Sequence, residues 1–284
     1  MIYAFIIEHK RQWPIRLMCS TLGVSSSGFY KWTRFVPGPR ALARNALLVE
    51  IKAIHSEAKG RYGSPRVFKA LRKRGRGGSL NTVAKIMREN HIRAKQARKF
   101  RFTTDSNHAM PVAENQLDRR FDPSEPNKAW VADITYIPTR EGWLYLAAVE
   151  DLYSRRIVGW SMSERMTSRL VVDALEMAVK RRLPGEGLLA HSDRGSQYAS
   201  DHYQTLLRRH GICCSMSAVG QCWDNAPMES FFASLKKELV HHEDYQNREE
   251  AKASLFEYVE VFYNNQRLHS SLGYMTPVAY EQAA

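Results

Sequence analysis

Three acidic residues stand where acidity is structurally awkward. Asp133 interrupts the apolar run Trp130–Ile137 (WVADITYI), and Asp193 closes the segment Leu188-Leu-Ala-His-Ser-Asp193. An ionised carboxylate in or at the end of a buried strand is costly unless it is paired or metal-bound. Glu229 lies in Trp223-Asp-Asn-Ala-Pro-Met-Glu229-Ser, which reads as a helix start with Asp224 or Asn225 as cap and Pro227 in the first turn. A negative charge there is favoured by the helix dipole. Each residue also has a plain structural account: an outward-facing strand position for Asp133, a loop cap for Asp193, the dipole alone for Glu229. Together, however, the three carboxylates could converge at one sheet edge, and hard oxygen ligands suit Mg²⁺ or Mn²⁺. Two such ions ~3.5–4 Å apart can activate a water or hydroxyl and stabilise the departing oxygen of an in-line phosphoryl displacement. Lys236 follows Glu229 by two helical turns on the same face and is either a cation for a DNA phosphate or a solvated lysine. No P-loop, GxGxxG or serine nucleophile occurs at a strand-to-helix turn. The cysteines (Cys19, Cys213, Cys214, Cys222) contain no C-x-x-C pair for zinc. The adjacent Cys213 and Cys214 read as buried strand residues.

The elements that must position these groups follow from periodicity. Alternating, β-rich runs give strands at Trp130–Ile137, Trp143–Val149 and Ile157–Met162, the last two joined through Asp151–Arg156 as a hairpin. Leu170, Val171, Ala174, Leu175, Ala178 and Val179 space as an amphipathic helix. Short strands at Gly187–His191 and Ile212–Met216 and helices at Asp201–His210 and Pro227–Val240 complete the pattern. Three antiparallel-type strands followed by αβαβα indicate an α/β mixed sheet of five strands flanked by helices.

The 284 residues carry a formal net charge of +13, unevenly spread. Residues 1–110 hold 23 Lys and Arg against 5 Asp and Glu, a net +18, whereas residues 111–284 hold 19 against 24, a net −5. A basic arm on a slightly acidic body points to a polyphosphate backbone as partner, so double-stranded DNA is expected. Within the arm, Ile15–Leu22, a left-handed turn at Gly23, the apolar Val24, a Ser25 cap and a helix to Trp32 have helix-turn-helix spacing. This places Ser26, Tyr30 and Lys31 toward a major groove. Arg61, Arg66, Arg72, Lys73 and Arg74 are further DNA-contact candidates in the helices that follow, and Ser79 should cap the next one. Four segments are expected: a helix-turn-helix at 1–40, a basic helical DNA-binding domain at 41–102, a proline-bearing linker at 103–126, and the sheet domain with a C-terminal helical segment at 127–284. No apolar run approaches the ~20 residues that span a bilayer, so no membrane partner and a cytoplasmic, nucleoid-associated protein are expected.

Thirty-five residues separate Asp193 from Glu229. With Asp133 they resemble the D,D-35-E triad of DDE transposases and retroviral integrases. His191-Ser-Asp193-Arg-Gly-Ser-Gln-Tyr198, Trp223-Asp-Asn-Ala-Pro-Met-Glu229-Ser and Tyr263-Asn-Asn-Gln-Arg-Leu-His-Ser-Ser-Leu-Gly273 are similar to the second-reading-frame transposases of the insertion-sequence-three family. The resemblance covers essentially the whole chain. It implies an RNase H-like integrase core with two Mg²⁺ or Mn²⁺ ions on Asp133, Asp193 and Glu229, and metal-dependent DNA cleavage and strand transfer. Lys236 matches a basic position of the family. His191, Asn225, Arg267 and His269 match as supporting positions, Arg267 and His269 touching either DNA or the protein interior. The implied partners are the element's terminal inverted repeats and target DNA, further copies of the chain, and the first-frame protein, to which such chains are usually fused by frameshifting. A DNA-binding regulator without turnover and a purely hydrolytic metal nuclease are the competing readings.

Overall fold

The structure, a computed structural model, describes residues 2–95, 113–218 and 222–283. Residues 103–112 of the expected linker lie outside those residues. The N-terminal apolar run forms helix α1 (Ile2–His9), which the sequence reading did not assign. It packs with α2 (Ile15–Thr21) and α3 (Ser26–Thr33) around Ile6, Met18, Cys19 and Phe29. The turn between α2 and α3 runs through Gly23 at φ +65°, and the Ser25 hydroxyl accepts the Gly28 N–H at 3.1 Å, as the helix-turn-helix spacing requires. Next come α4 (Pro39–Glu57), α5 (Ser64–Lys73) and α6 (Leu80–Glu89), the last capped by Ser79, which accepts the Thr82 N–H.

The sheet follows. Strands β1 (Ala129–Thr139), β2 (Gly142–Asp151) and β3 (Arg156–Ser163) form an antiparallel meander. After α7 (Ser168–Arg182), β4 (Leu189–Ser192) adds parallel to β1. Helices α8 (Ser196–Ala199) and α9 (Asp201–Arg209) then lead to β5 (Cys213–Met216), parallel to β4. The order is β3-β2-β1-β4-β5, so the mixed five-stranded sheet flanked by helices is present. Cys213 is exposed and Cys214 only half-buried, contrary to expectation. The reason is that β5 is an edge strand whose burial is carried by Ser215 and Met216.

Strand alternation sorts the two faces. Trp130 and Ala132 of β1 join Ala147 and Val149 of β2 under α7 and α9, whereas Val131 and Ile137 join Leu144, Leu146 and Ala148 on the opposite face. On the first face Gly159 of β3 lets α7 approach closely, since a Cβ there would lie 2.2 Å from the Ala174 carbonyl oxygen. The second face is covered by α10 (Ala226–Glu238), entered through a 3₁₀ turn at Cys222–Asn225. Met228, Phe231, Phe232 and Leu235 bury there, each contributing roughly 1.5–3 kcal/mol for the larger side chains. The chain closes through α11 (Arg248–Phe256), which continues as a π-helical stretch Glu257–Tyr263, and α12 (Pro277–Gln282). The same apolar cluster runs on without a break into Ile51, Ile54, Val67, Leu71, Val83 and Ile86 of α4–α6. Among the described residues no helix is long and apolar enough to cross a membrane.

Candidate active site

Parallel pairing of β1 with β4 sets Ala132 beside Ser192; β4 ends there while β1 runs on beside β2, so the next residues, Asp133 and Asp193, stand where the β1–β4 pairing stops. The Asp133 Oδ1 accepts the Ile134 N–H at 2.7 Å, and the Asp193 Oδ1 accepts the Gly195 N–H at 2.9 Å. The opening of α10 is tied to that spot, because the Asn225 Nδ2 donates to the Ala132 carbonyl at 3.2 Å. One turn further on, Glu229 projects from α10 with its side chain exposed.

Electrostatics report the convergence. Burial pushes the Asp133 carboxyl well above the usual carboxylate range, the Asp193 charge adds to this, and Glu229 adds further. The Ile134 N–H and the Lys236 ammonium oppose the shift. Burial also raises Glu229 above its ordinary value. Lys236 lies 4.9 Å above the Tyr136 ring, is half-buried, and has its pKa lowered by burial against the pull of Asp133. As the side chains stand, no three His, Cys, Asp or Glu among the described residues enclose one cation position. Glu229 is the exposed member of the three, Asp133 and Asp193 being half-buried.

Neither Asp224 nor Asn225 caps α10 through its side chain, contrary to the sequence reading. Asp224 instead accepts the Ala218 N–H at 2.9 Å, the Asn115 Nδ2 at 3.0 Å and the Arg119 Nε at 2.8 Å. It draws the chain after β5, the segment before β1 and the start of α10 to one carboxylate. Its recruitment of groups about 100 residues away leaves no local signal, so this role was missed. Asn225 Oδ1 is buried and has no hydrogen-bond partner among the described residues. His191 is buried between the hydroxyls of Ser215 (2.8 Å) and Ser217 (3.2 Å), and burial lowers its pKa to about 4, so it is a neutral hydrogen-bonding link from β4 to β5.

The remaining candidates divide. Tyr30 and Lys31 are exposed and, with Ser27 and Arg34, line an open groove on α3, beside the half-buried Ser26. Arg72 and Lys73 are exposed at the end of α5 and join no ion pair among the described residues. Arg61, Arg66 and Arg74 do not fit free DNA contacts. Arg61 is 5% exposed with its guanidinium 4.3 Å from the Phe262 ring centre, because burial against the π-helical stretch satisfies its flat face. Arg66 donates inward to Leu268 and Glu238, and Arg74 is held by Glu50 and Glu57 on α4. Arg267 is buried and His269 half-buried: Arg267 pairs with Glu238 and contacts the His269 ring.

Comparison with known proteins agrees with this architecture. The family described as integrase core domain matches residues 123–222, a second integrase core family matches 229–284, and an HTH-like domain family matches 43–100. The chain is 45% identical over 265 residues to an insertion element IS600 uncharacterized 31 kDa protein of Shigella sonnei, covering 93% of this chain and 97% of that one. It is 44% identical over 283 residues to the transposase InsF for insertion sequence IS3A of Escherichia coli, covering 99% and 98%. The HTLV-2 integrase catalytic core domain solved with magnesium aligns at 18% identity and TM-score 0.43, over 56% of this chain and 98% of that one. With near-full-length identity of this order, the chain belongs to the IS3 family of insertion-sequence transposases, built from an HTH-like domain and an integrase core.

Proposed function

We propose that the chain is a DDE-type polynucleotidyl transferase, in which Asp133, Asp193 and Glu229 hold divalent cations for DNA cleavage and strand transfer. The observation that carries this is the Asp133 carboxyl, held where the β1–β4 pairing stops and set against the charges of two other carboxylates, with the Ile134 N–H and Lys236 opposing them. Carboxylates gathered in this way favour a bound hard cation over bare ionisation. The unpartnered Asn225 Oδ1 beside β1 fits a site that also orders water. Two Mg²⁺ or Mn²⁺ ions would supply activation of the attacking oxygen and stabilisation of the leaving one.

The protein's own groups then have separable tasks. Strand β1 and the end of β4 fix two carboxylates, and the first turn of α10 brings the third. Lys236 receives a DNA phosphate near the reacting one. In the first step a water oxygen forms a bond to phosphorus as the bond to the 3′ oxygen breaks, freeing a 3′-hydroxyl. That hydroxyl then attacks a second phosphodiester, so one P–O bond forms as another breaks and strands are joined. Arms at 1–40 and 41–102 would grip the terminal repeats through Tyr30, Lys31, Arg72 and Lys73, ahead of the catalytic unit at 127–284. Joining two element ends calls for more than one copy of the chain, and the first-frame protein of the element is the further partner.

A strand-transfer assay with labelled element ends and Mg²⁺ or Mn²⁺, with Asp193→Asn as control, tests the reading. Joined products lost in the control support it. Shifted DNA without cleavage would indicate a regulator, and nicks without joining a nuclease.

A further inference from the structure

The C-terminal end of α10 and the segment Tyr263–Gly273 take no part in the chemistry above, yet they share a buried charge cluster. Glu238, nine residues after Glu229, accepts the Arg267 Nε at 3.0 Å and Nη2 at 2.9 Å, and the Tyr258 hydroxyl at 3.0 Å. A second guanidinium reaches the same carboxylate from the HTH-like domain: the Arg66 Nη1 donates to Glu238 at 3.1 Å. The Arg66 Nε donates to the Leu268 carbonyl at 3.0 Å. Beside it the Tyr62 hydroxyl donates to the Gln266 carbonyl at 2.7 Å and accepts the Leu268 N–H at 3.0 Å.

These bonds fasten α5 to α10. Helix α5 ends in the exposed Arg72 and Lys73, and α10 carries Glu229 in its first turn. At ~1.5 Å per residue, Glu229 lies about 13 Å along the α10 axis from the Glu238 anchor, and Lys73 about 10 Å along α5 from Arg66. The two helices are therefore the arms of a bracket, one ending at cations and the other at a catalytic carboxylate. Apolar contact between α4–α6 and the core would by itself hold the domains together, but it is non-directional and sets no angle. Forked guanidinium bonds to one carboxylate and a tyrosine bonded twice to a turn are directional and fix it.

Resting on the function proposed above, we propose that Arg66 and Tyr62 are positioning residues. They hold the DNA-gripping helix at one angle and distance from the carboxylates, and so select which phosphodiester of the element end is cut.

The test maps cleavage of an end-labelled element end at single-nucleotide resolution, using the full chain with Mg²⁺ or Mn²⁺ at saturating DNA. The Arg66→Met, Tyr62→Phe double variant keeps Arg267 on Glu238 and keeps the Tyr62 ring in the apolar cluster. It is expected to bind DNA as the parent does, to spread its cuts over neighbouring phosphates, and to cut the parental position ~10²-fold more slowly, the cost of a misplacement of about 1 Å. Arg66→Lys, which retains the charge, should recover part of the precision. If the double variant does not fold, Tyr62→Phe alone must broaden the cuts. A single sharp cut at the parental rate overturns the inference while leaving the function intact. A parent chain that cuts nothing overturns the function and the inference with it.

Discussion

Replacing Asp224 by Asn removes one charge and one acceptor from a carboxylate whose side chain is only 3% exposed. Its Oδ2 accepts from Asn115 and Ala218, and its Oδ1 from Arg119. Burial works to raise this carboxyl, but the Ala218 N–H and the Arg119 guanidinium outweigh it and hold the pKa below the ordinary value. An asparagine can satisfy the Oδ2 donors or the Oδ1 donor, but not both. The cheaper orientation keeps Asn115 and Ala218 and turns the amide NH₂ toward Arg119, which is 49% exposed and can move into water. The loss is then one charge-assisted hydrogen bond, with the amide NH₂ left facing the space Arg119 vacates, about 2 kcal/mol. For a chain of this size that corresponds to a fall in Tm of about 3 °C. Strand transfer should fall further than stability alone explains, because Asp224 fixes the start of the helix that presents Glu229. Scanning calorimetry read beside the strand-transfer rate, at a temperature where both proteins are folded, measures the two effects separately. An unchanged Tm with full activity would refute the idea that this carboxylate anchors α10.

Glu150 supplies a pH test. It is buried on β2, its Oε1 lacks a hydrogen-bond partner among the described residues, and Arg155 stands 3.8 Å away. Burial pushes it from 4.5 to about 8 despite Arg155. Between those values the folded chain keeps a proton that the unfolded chain releases, so this group's contribution to stability declines as pH rises through the window. Glu150→Gln should therefore gain on the parent by on the order of 2 kcal/mol between pH 5 and pH 8, and parallel urea-stability profiles would contradict this. Gly159→Ala places a methyl against Ala174 and Ala178 of α7 and should cost about 1–3 kcal/mol or more, read as a lower urea midpoint. An unchanged midpoint would mean that α7 is not seated on β3. Arg72→Ala with Lys73→Ala should weaken binding to all duplexes alike and lower the salt slope by about 1 per lost phosphate contact; an unchanged slope would remove them from the interface.

What the sequence made legible was whatever a local period encodes. Strands β1–β3 and helix α7 followed from alternation and from the spacing of Leu170 to Val179, and the Ser25 and Ser79 caps from the residues beside them. Asp133 stood out because it interrupts an apolar strand, Asp193 because it closes one, and Glu229 because it follows a helix start. Contacts across the chain were not legible. Arg61 and Arg66 read as surface cations because they belong to a strongly basic arm, while the groups that bury them, Phe262, Leu268 and Glu238, lie roughly 170 to 200 residues away. Asp224 read as a cap because it precedes a helix, but three donors from elsewhere occupy it. Helix α1 escaped notice because seven apolar residues in a row carry no amphipathic period, and its packing on α2 and α3 supplies what the period does not.

The central claim is that Asp133, Asp193 and Glu229 share bound cations. Anomalous diffraction from crystals of the full chain grown with Mn²⁺ and an element-end duplex tests it most directly. The account predicts manganese peaks in contact with carboxylate oxygens of all three residues, lost when Asp133 is replaced by Asn. Manganese bound only elsewhere, or persisting at the site in Asp133→Asn, would contradict it.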